Sequence, residues 1–280
     1  MPVKIVTDST CDLPQSVVEA LGIEVVPLFI NIGQKGYLDG LEITRTEFYR
    51  NLPGYPEHPT TATPSIDSFT ETYQRLAEAG ATEILSLHIS SSLSATIDMA
   101  RQAAARFKGA RVVARDSGQL SLGLGFQVEA AAKLAKEGKG LDEIEAALDD
   151  LAPRTYVAAH LDTLEFLRRS GRMNGVVTGL GSLLQIKPLL TMEDGQPGSE
   201  RVRTIAKAQM RLKELLDMRK PIERFALLHS NAVEKAQAFK ETITHLIPSG
   251  EHYSMDITPV LGVHLGPDAV GYAIVRAKTD

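Results

Sequence analysis

The chain has 280 residues, 43% of them hydrophobic, a formal net charge of −5 and one cysteine. That length can bury a sizeable core and lies beyond the usual size of a single hydrophobic unit, so two domains, or one with a large appendage, are expected. An acidic balance without clustered Lys and Arg argues against a nucleic-acid partner, a lone Cys11 excludes an intramolecular disulfide, and no stretch approaches the roughly eighteen apolar residues of a membrane span.

The opening residues MPVKIVTDST run directly into a strand pattern, with no basic region followed by a long apolar one, which points to a cytoplasmic protein. Val3 to Thr7 reads as a buried strand, followed by the polar turn Asp8-Ser9-Thr10 and a helix near Gln15 to Leu21 that Gly22 closes. A second strand is expected from Ile23 toward Ile32. After a proline-rich loop between Pro53 and Pro64, the stripe Phe69, Tyr73, Leu76 and Ala77 predicts a helix with Gly80 at its end. The strand Glu83 to Ile89 ends in Ser90-Ser91-Ser92-Leu93-Ser94, and a helix follows from about Ala95 to Arg106. Ala110 to Ser117 repeats the strand-then-polar-turn pattern before a helix from Leu120 to Lys136. This alternation predicts βαβ units and a largely parallel sheet.

From Pro153 the texture changes. The segment YVAAH predicts a strand, Leu164 to Arg169 a helix, and the glycine-spaced stretch Gly175 to Leu184 precedes the strand IKPLLTM. Helices are expected from Thr204 to Met218 and from Val233 to Leu246, with FALLHS and GYAIVR as strands. The reading is therefore α/β with two domains, residues 1–152 and 153–280.

Three predicted strand ends are dense in hydroxyls: Thr7 to Thr10, Ser90 to Ser94, and Asp116-Ser117. Ligands bind at that edge of an open α/β sheet, where helix N-termini offer free N–H groups to a carboxylate or phosphate. The same residues are also the preferred N-caps that any strand-to-helix turn uses, and both readings stand. In Thr60 to Ser65, Pro64 fits a first helical turn with Thr63 as its cap.

Gly123-Leu124-Gly125 and Gly179-Leu180-Gly181 do not complete a dinucleotide fingerprint or a P-loop. The seven histidines lack metal-ligand spacing, so neither a metal nor a cofactor is expected. A triad of Ser94, His264 and Asp116 is the conceivable route to acyl hydrolysis, but no nucleophile elbow surrounds Ser94. His264 falls in the glycine-flanked turn Gly262 to Pro267, with a backbone-bonding or a ligand role.

The blocks KIVTDSTCDLP, Pro27-Leu28, Tyr37-Leu38-Asp39-Gly40, TATPS, HISSSLSAT, ARDS, FLRRSGR, IKPLL and GVHLGP occur in this order across the whole chain. In order and approximate spacing they resemble the DegV family. The resemblance implies a two-domain fold, a parallel-sheet N-terminal domain and an α/β C-terminal domain, with a fatty acid buried between them. It also implies a non-enzymatic lipid-binding subunit that, in bacteria, presents the carboxylate to a separate ATP-dependent fatty acid kinase and so feeds phospholipid synthesis. The other readings are an acyl-ester hydrolase using Ser94, and a lipid store or sensor without a kinase partner.

By the same resemblance, Thr61 and Ser94 correspond to carboxylate-binding hydroxyls, His264 to a member of that network, and Arg172 to a kinase-facing residue. The basic residues Arg168, Arg169, Arg201 and Arg203 add an electropositive patch, with Arg203 a second kinase-facing candidate. Departures at Ala62, Thr63, Ala95 and Asp268 leave the hydroxyl donors in place. The expected ligand is an acid of roughly 14 to 18 carbons such as palmitate, in a dry, apolar tunnel. Val26 to Ile32, Leu161 to Leu167 and Val176 to Leu184 are the apolar segments available to line it.

Overall fold

The computed structural model describes residues 3–173 and 186–278. Its first sheet is parallel, in the order β2-β1-β6-β7, built from Lys4–Asp8 (β1), Glu24–Val26 (β2), Glu83–His88 (β6) and Arg111–Asp116 (β7). Gln15–Leu21 (α1), Ile66–Glu78 (α3) and Thr96–Arg106 (α4) lie between its successive strands, and Ser121–Lys136 (α5) follows the last of them. The β-branched runs therefore fold as βαβ units.

One expected strand is two. The run from Ile23 to Ile32 breaks at Pro27, which has no N–H to give a ladder. Glu24–Val26 stays in the parallel sheet, whereas Phe29–Ile32 (β3) joins Lys35–Leu38 (β4) and Thr60–Ala62 (β5) in a separate antiparallel sheet ordered β4-β3-β5. Helix Arg45–Asn51 (α2), which has no strong apolar stripe in sequence, packs Phe48 and Tyr49 beneath it. The hydroxyl run around Thr61 is thus partly strand. The cap of α3 is Ser65, whose hydroxyl accepts from the Ser68 N–H at 3.1 Å, rather than Thr63.

The second half forms a six-stranded sheet in the order β10-β9-β8-β13-β11-β12. Its members are Thr155–His160 (β8), Lys187–Glu193 (β9), Gln196–Val202 (β10), Ile222–His229 (β11), Tyr253–Asp256 (β12) and Val270–Arg276 (β13), antiparallel except for β11 with β12. Strand β8 is buried along its whole length. Tyr156, Phe225 and Tyr272 meet helices Ile205–Asp217 and Val233–Ile243 on one face, while Val157, Leu228 and Ala273 point to the other.

That other face meets α5. The helix is apolar nearly all round, with Leu122, Leu124, Phe126, Val128, Ala131 and Ala132 buried, as a helix enclosed by protein must be. It packs against β1 and β6 on one side and against β8 and β13 on the other, so a single apolar cluster runs from Leu85 and Leu87 to Ala226 and Ala273. Gly123 and Gly125 permit the approach. A Cβ on Gly125 would lie 2.5 Å from the Cys11 carbonyl oxygen, and one on Gly123 2.7 Å from the Val157 side chain. Leu141–Leu151 (α6) packs alongside with Leu141, Ile144 and Leu148.

Gly179-Leu180-Gly181 and the rest of Gly175 to Leu184 lie outside the described residues. Replacing Gly125 with Val should overpack α5 against the β1 turn and destabilise the fold by roughly 1–3 kcal/mol. The measurement is urea unfolding: a lower midpoint at unchanged slope is expected, and an unchanged midpoint would mean that this close approach is not a constraint.

Candidate functional site

A cavity of about 1000 Å³, counting its open mouth, lies between the parallel sheet, the six-stranded sheet and helix Pro259–Leu265. Fifteen of its twenty-one lining residues are apolar. Leu28, Ile89, Leu93 and Leu120 come from the first half, and Val157, Leu190, Met192, Leu228 and Val260 from the second. The wall follows from strand alternation: Val157 and Ala159 face the cavity, while Tyr156 and Ala158 face the opposite core.

The six polar lining residues are Thr61, Ser94, Ser121, Arg172, Thr191 and His264. Thr61 Oγ1 and His264 Nε2 are hydrogen-bonded at 3.2 Å, across 203 positions of sequence. His264 is not in a turn. It sits in the last turn of helix Pro259–Leu265, which Pro259 can begin because its missing N–H has no helical partner there. Gly262 faces Tyr49, where a Cβ would lie 2.5 Å from the phenol oxygen, and Gly266 packs on the Phe166 ring. These contacts seat the helix on α2 and on helix Glu165–Arg169, while Val260 and Val263 pack with Ile30 of the three-stranded sheet, whose β5 carries Thr61.

Burial pushes the His264 imidazole down to about 4, with nearby Arg172 and His58 adding to the effect. The ring is therefore neutral at neutral pH, with Nδ1 buried and unpartnered. His58 donates from Nε2 to the Val263 carbonyl at 3.1 Å and packs on Phe166, closing the outer side of the same helix.

Ser94 precedes α4. Its Oγ pairs with Thr96 Oγ1 at 2.8 Å and accepts from the Thr96 N–H at 3.3 Å, so the residue both shapes the helix start and lines the cavity. Arg172 is exposed and lines the cavity, which puts it at the opening. Arg203 is exposed and is not among the lining residues. Arg168 and Arg169 both bond the Glu165 carboxylate, which offsets their charge.

Of the three hydroxyl-rich loops, Ser90 to Ser94 is the one that reaches the cavity. Asp116 accepts from the N–H groups of Ser91 and Gly118, an internal turn role. Hence Ser94, His264 and Asp116 do not assemble: Asp116 is committed to those amides and His264 Nε2 to Thr61. In the third loop, Asp8 is wholly buried and accepts from Thr10 N–H and Ile89 N–H, both at 3.0 Å.

Asp8 also begins a chain absent from any local motif. Its Oδ2 bonds His88 Nδ1 at 3.0 Å, His88 Nε2 meets Ser86 Oγ at 2.6 Å, and Tyr73 donates its O–H to Ser86 Oγ at 2.8 Å. The order is that of a hydrolytic triad. All four side chains are fully buried, however, and none lines the cavity, so the chain braces the end of β6.

Of the apolar segments expected to line a tunnel, Leu28 and Leu167 do so, whereas Leu161 and Leu164 lie behind Leu167 in one core cluster and are not lining residues. Val176 to Leu184 lie outside the described residues. Ser121 and Thr191 were not legible as lining residues, because nothing in sequence distinguishes them from a helix start and a strand hydroxyl. Among the described residues, no group of three or more His, Cys, Asp and Glu side chains could hold a metal ion, and no helix is long and apolar enough to cross a membrane.

A parallel sheet and a six-stranded sheet sharing one core around an apolar cavity define a mixed α/β protein with an internal ligand-sized space. The chain belongs to the DegV family: the family model described as "Uncharacterised protein, DegV family" matches residues 2–277. It is 34% identical over 273 residues to a DegV domain-containing protein of Listeria innocua, covering 96% of each chain. A DegV family protein from Thermus thermophilus, described by its fatty acid binding, is similar with a TM-score of 0.89 and 36% identity, over 99% of this chain and 100% of that one. DegV from Bacillus subtilis, described as a fatty acid binding protein, gives a TM-score of 0.90 at 30% identity, over 99% and 100%.

The depressed His264 value is a readout of the site. Its imidazole should titrate well below the ordinary 6.5 without ligand and move upward when a carboxylate sits beside it, because an anion favours the charged ring. Stability from the buried neutral ring is present above 6.5 and is lost as pH falls toward 4. NMR titration of the ring protons checks this; a midpoint near 6.5 that no carboxylate moves would place His264 outside the polar end of the cavity.

Proposed function

We propose that this protein binds a long-chain fatty acid in the cavity, with the carboxylate held by the hydroxyls of Thr61 and Ser94 and with His264 alongside. The observation that carries the reading is one cavity with fifteen apolar lining residues that also takes in Thr61, Ser94 and His264. A carboxylate accepts only, so it needs donors: the Thr61–His264 pair spends one proton on its mutual bond and keeps one to give, and the Ser94 hydroxyl can supply a second. The tail needs a dry wall: burying each methylene contributes about 0.8 kcal/mol, so an acid of roughly 14 to 18 carbons, palmitate included, draws most of its affinity from the chain. Solved relatives described as fatty acid binding support the choice of ligand.

The units 1–152 and 153–280 then act as two domains closing on the acyl chain. The protein performs no chemistry itself. It presents the carboxylate, in the cytoplasm, to a separate ATP-dependent fatty acid kinase whose acyl-phosphate product feeds phospholipid synthesis. Arg172, exposed at the opening, is the residue suited to meet a phosphate, because a guanidinium can bond two phosphate oxygens at once. Arg203 is a more distant member of the same partner-facing surface.

The test is a paired assay on one preparation: competition binding of a fatty acid, and acyl-phosphate formation with the kinase and ATP. Ser94→Ala should weaken binding by about 1.5–3 kcal/mol, the usual contribution of a hydrogen bond to a charged acceptor, while the fold survives. Arg172→Ala should keep fatty-acid affinity and lose most acyl-phosphate formation. Unchanged affinity in Ser94→Ala would reduce that serine to a helix cap, and undiminished phosphorylation in Arg172→Ala would remove the arginine from the partner surface.

A further inference from the structure

Helix Pro259–Leu265 supplies Val260, Leu261, His264 and Leu265 to the cavity, so whatever holds the start of that helix holds one wall and the polar end together. The residue before it, Thr258, is almost fully buried and is gripped twice. Its N–H donates to Asp12 Oδ1 at 2.9 Å and its hydroxyl donates to Asp39 Oδ2 at 2.6 Å. Thr258 itself is not among the lining residues.

Both acids come from the first half of the chain. Asp12, at φ 53, follows β1, and Asp39 follows β4. Asp12 is shared further: Ser121, a lining residue at the start of α5, donates to Oδ2 at 2.6 Å, and Arg45 on α2 donates to Oδ1 at 2.9 Å. One carboxylate thus ties α5, α2 and the His264 helix across 246 positions of sequence. Asp39 Oδ1 is buried with no partner.

Burying two acids this close together is unfavourable unless their charge is offset. Facing Asp12 are the Arg45 guanidinium, the Asp39 and Asp256 carboxylates and, on its own turn, Cys11. The Tyr49 phenol, which donates to the Ile257 carbonyl at 3.0 Å, completes the set. Asp256 is itself bonded to the Asn231 N–H, with His229 at 3.4 Å. Arg45 is the cation that bonds this cluster, and its side chain is 29% exposed.

We propose that Asp12 and Asp39 are positioning residues forming a clamp on Thr258, that this clamp seats the His264 helix against the first half of the chain, and that ligand passes in and out when it opens. The proposal rests on reading the cavity as a fatty-acid site. Burial raises both carboxyls from 3.8 to about 6, while Arg45 pulls in the other direction. When the clamp opens to water they return toward 3.8, so the closed form holds protons more tightly than the open form. Closure is therefore favoured as pH falls through 6, and opening is favoured above it.

The test has a ligand-free arm and a ligand arm. In the first, amide hydrogen exchange of residues 259–266, divided by the intrinsic rate at each pH, reports opening. Protection of wild-type protein should be flat from pH 7.5 to about 6 and then rise, by roughly tenfold per carboxyl at pH 5. Arg45→Gln should move the onset of that rise to higher pH, because the cation that lowers both carboxyls is gone. Asp12→Asn, whose side chain tolerates the positive φ, should shrink the rise to the part that Asp39 contributes. In the second arm, the dissociation rate of hexadecanol, which does not titrate, should slow over the same interval.

A pH-independent protection profile in the wild type, or an Asp12→Asn profile like that of the wild type, overturns the clamp. A hexadecanol rate that ignores pH while protection changes overturns the route of passage. If neither hexadecanol nor palmitate binds the wild type, the fatty-acid reading has failed, and the exchange profile still decides the clamp by itself.

Discussion

Helix α5 lies between the parallel sheet and the six-stranded sheet, so each sheet closes an apolar face on the same rod. Every buried methylene along it favours keeping the two halves together, and Gly123 and Gly125 allow it to sit close enough to do so. Where α5 begins, at Ser121, the halves part and the space between them is the cavity. Its apolar wall is a continuation of the core, left without side chains to fill it.

The polar end has a different origin. Thr61, Ser94 and His264 come from a small antiparallel sheet, a βα turn and a late helix, three elements with no local relation. They share one cavity because Gly262 and Gly266 let the late helix press against Tyr49 and Phe166, and because Thr258 is held by acids from the first half. Thr61, Ser94 and a neutral His264 give this end hydrogen-bonding groups, and a buried anion is tolerated only where such donors meet it.

The βαβ alternation and the helix at Ile66–Glu78 were legible from their apolar period, and the helix at Ser121–Lys136 from a long run of apolar and Ala residues without a breaker at its centre. The break at Pro27 could have been read from its missing N–H, yet the β-branched residues on both sides hid it. Helix Pro259–Leu265 reads as a turn in sequence because Gly262 and Gly266 look like breakers, when they are contact points. The hairpin partner of β9 carries Pro, Gly, Ser and charged residues at an edge and has no strand signature. The bonds joining Asp8 to His88 and Asp12 to Thr258 span distances over which no motif operates. Thr61 and Ser94 stood out from other hydroxyls only through the family resemblance, and their shared cavity is a property of the fold.

Native mass spectrometry of the protein as purified, followed by solvent extraction, tests the account most directly, since a chain buried this deeply should survive purification. The account predicts an added mass equal to one fatty acid of roughly 14 to 18 carbons, recovered in the extract. Protein fully occupied by a nucleotide or a sugar, and never by lipid, would contradict it.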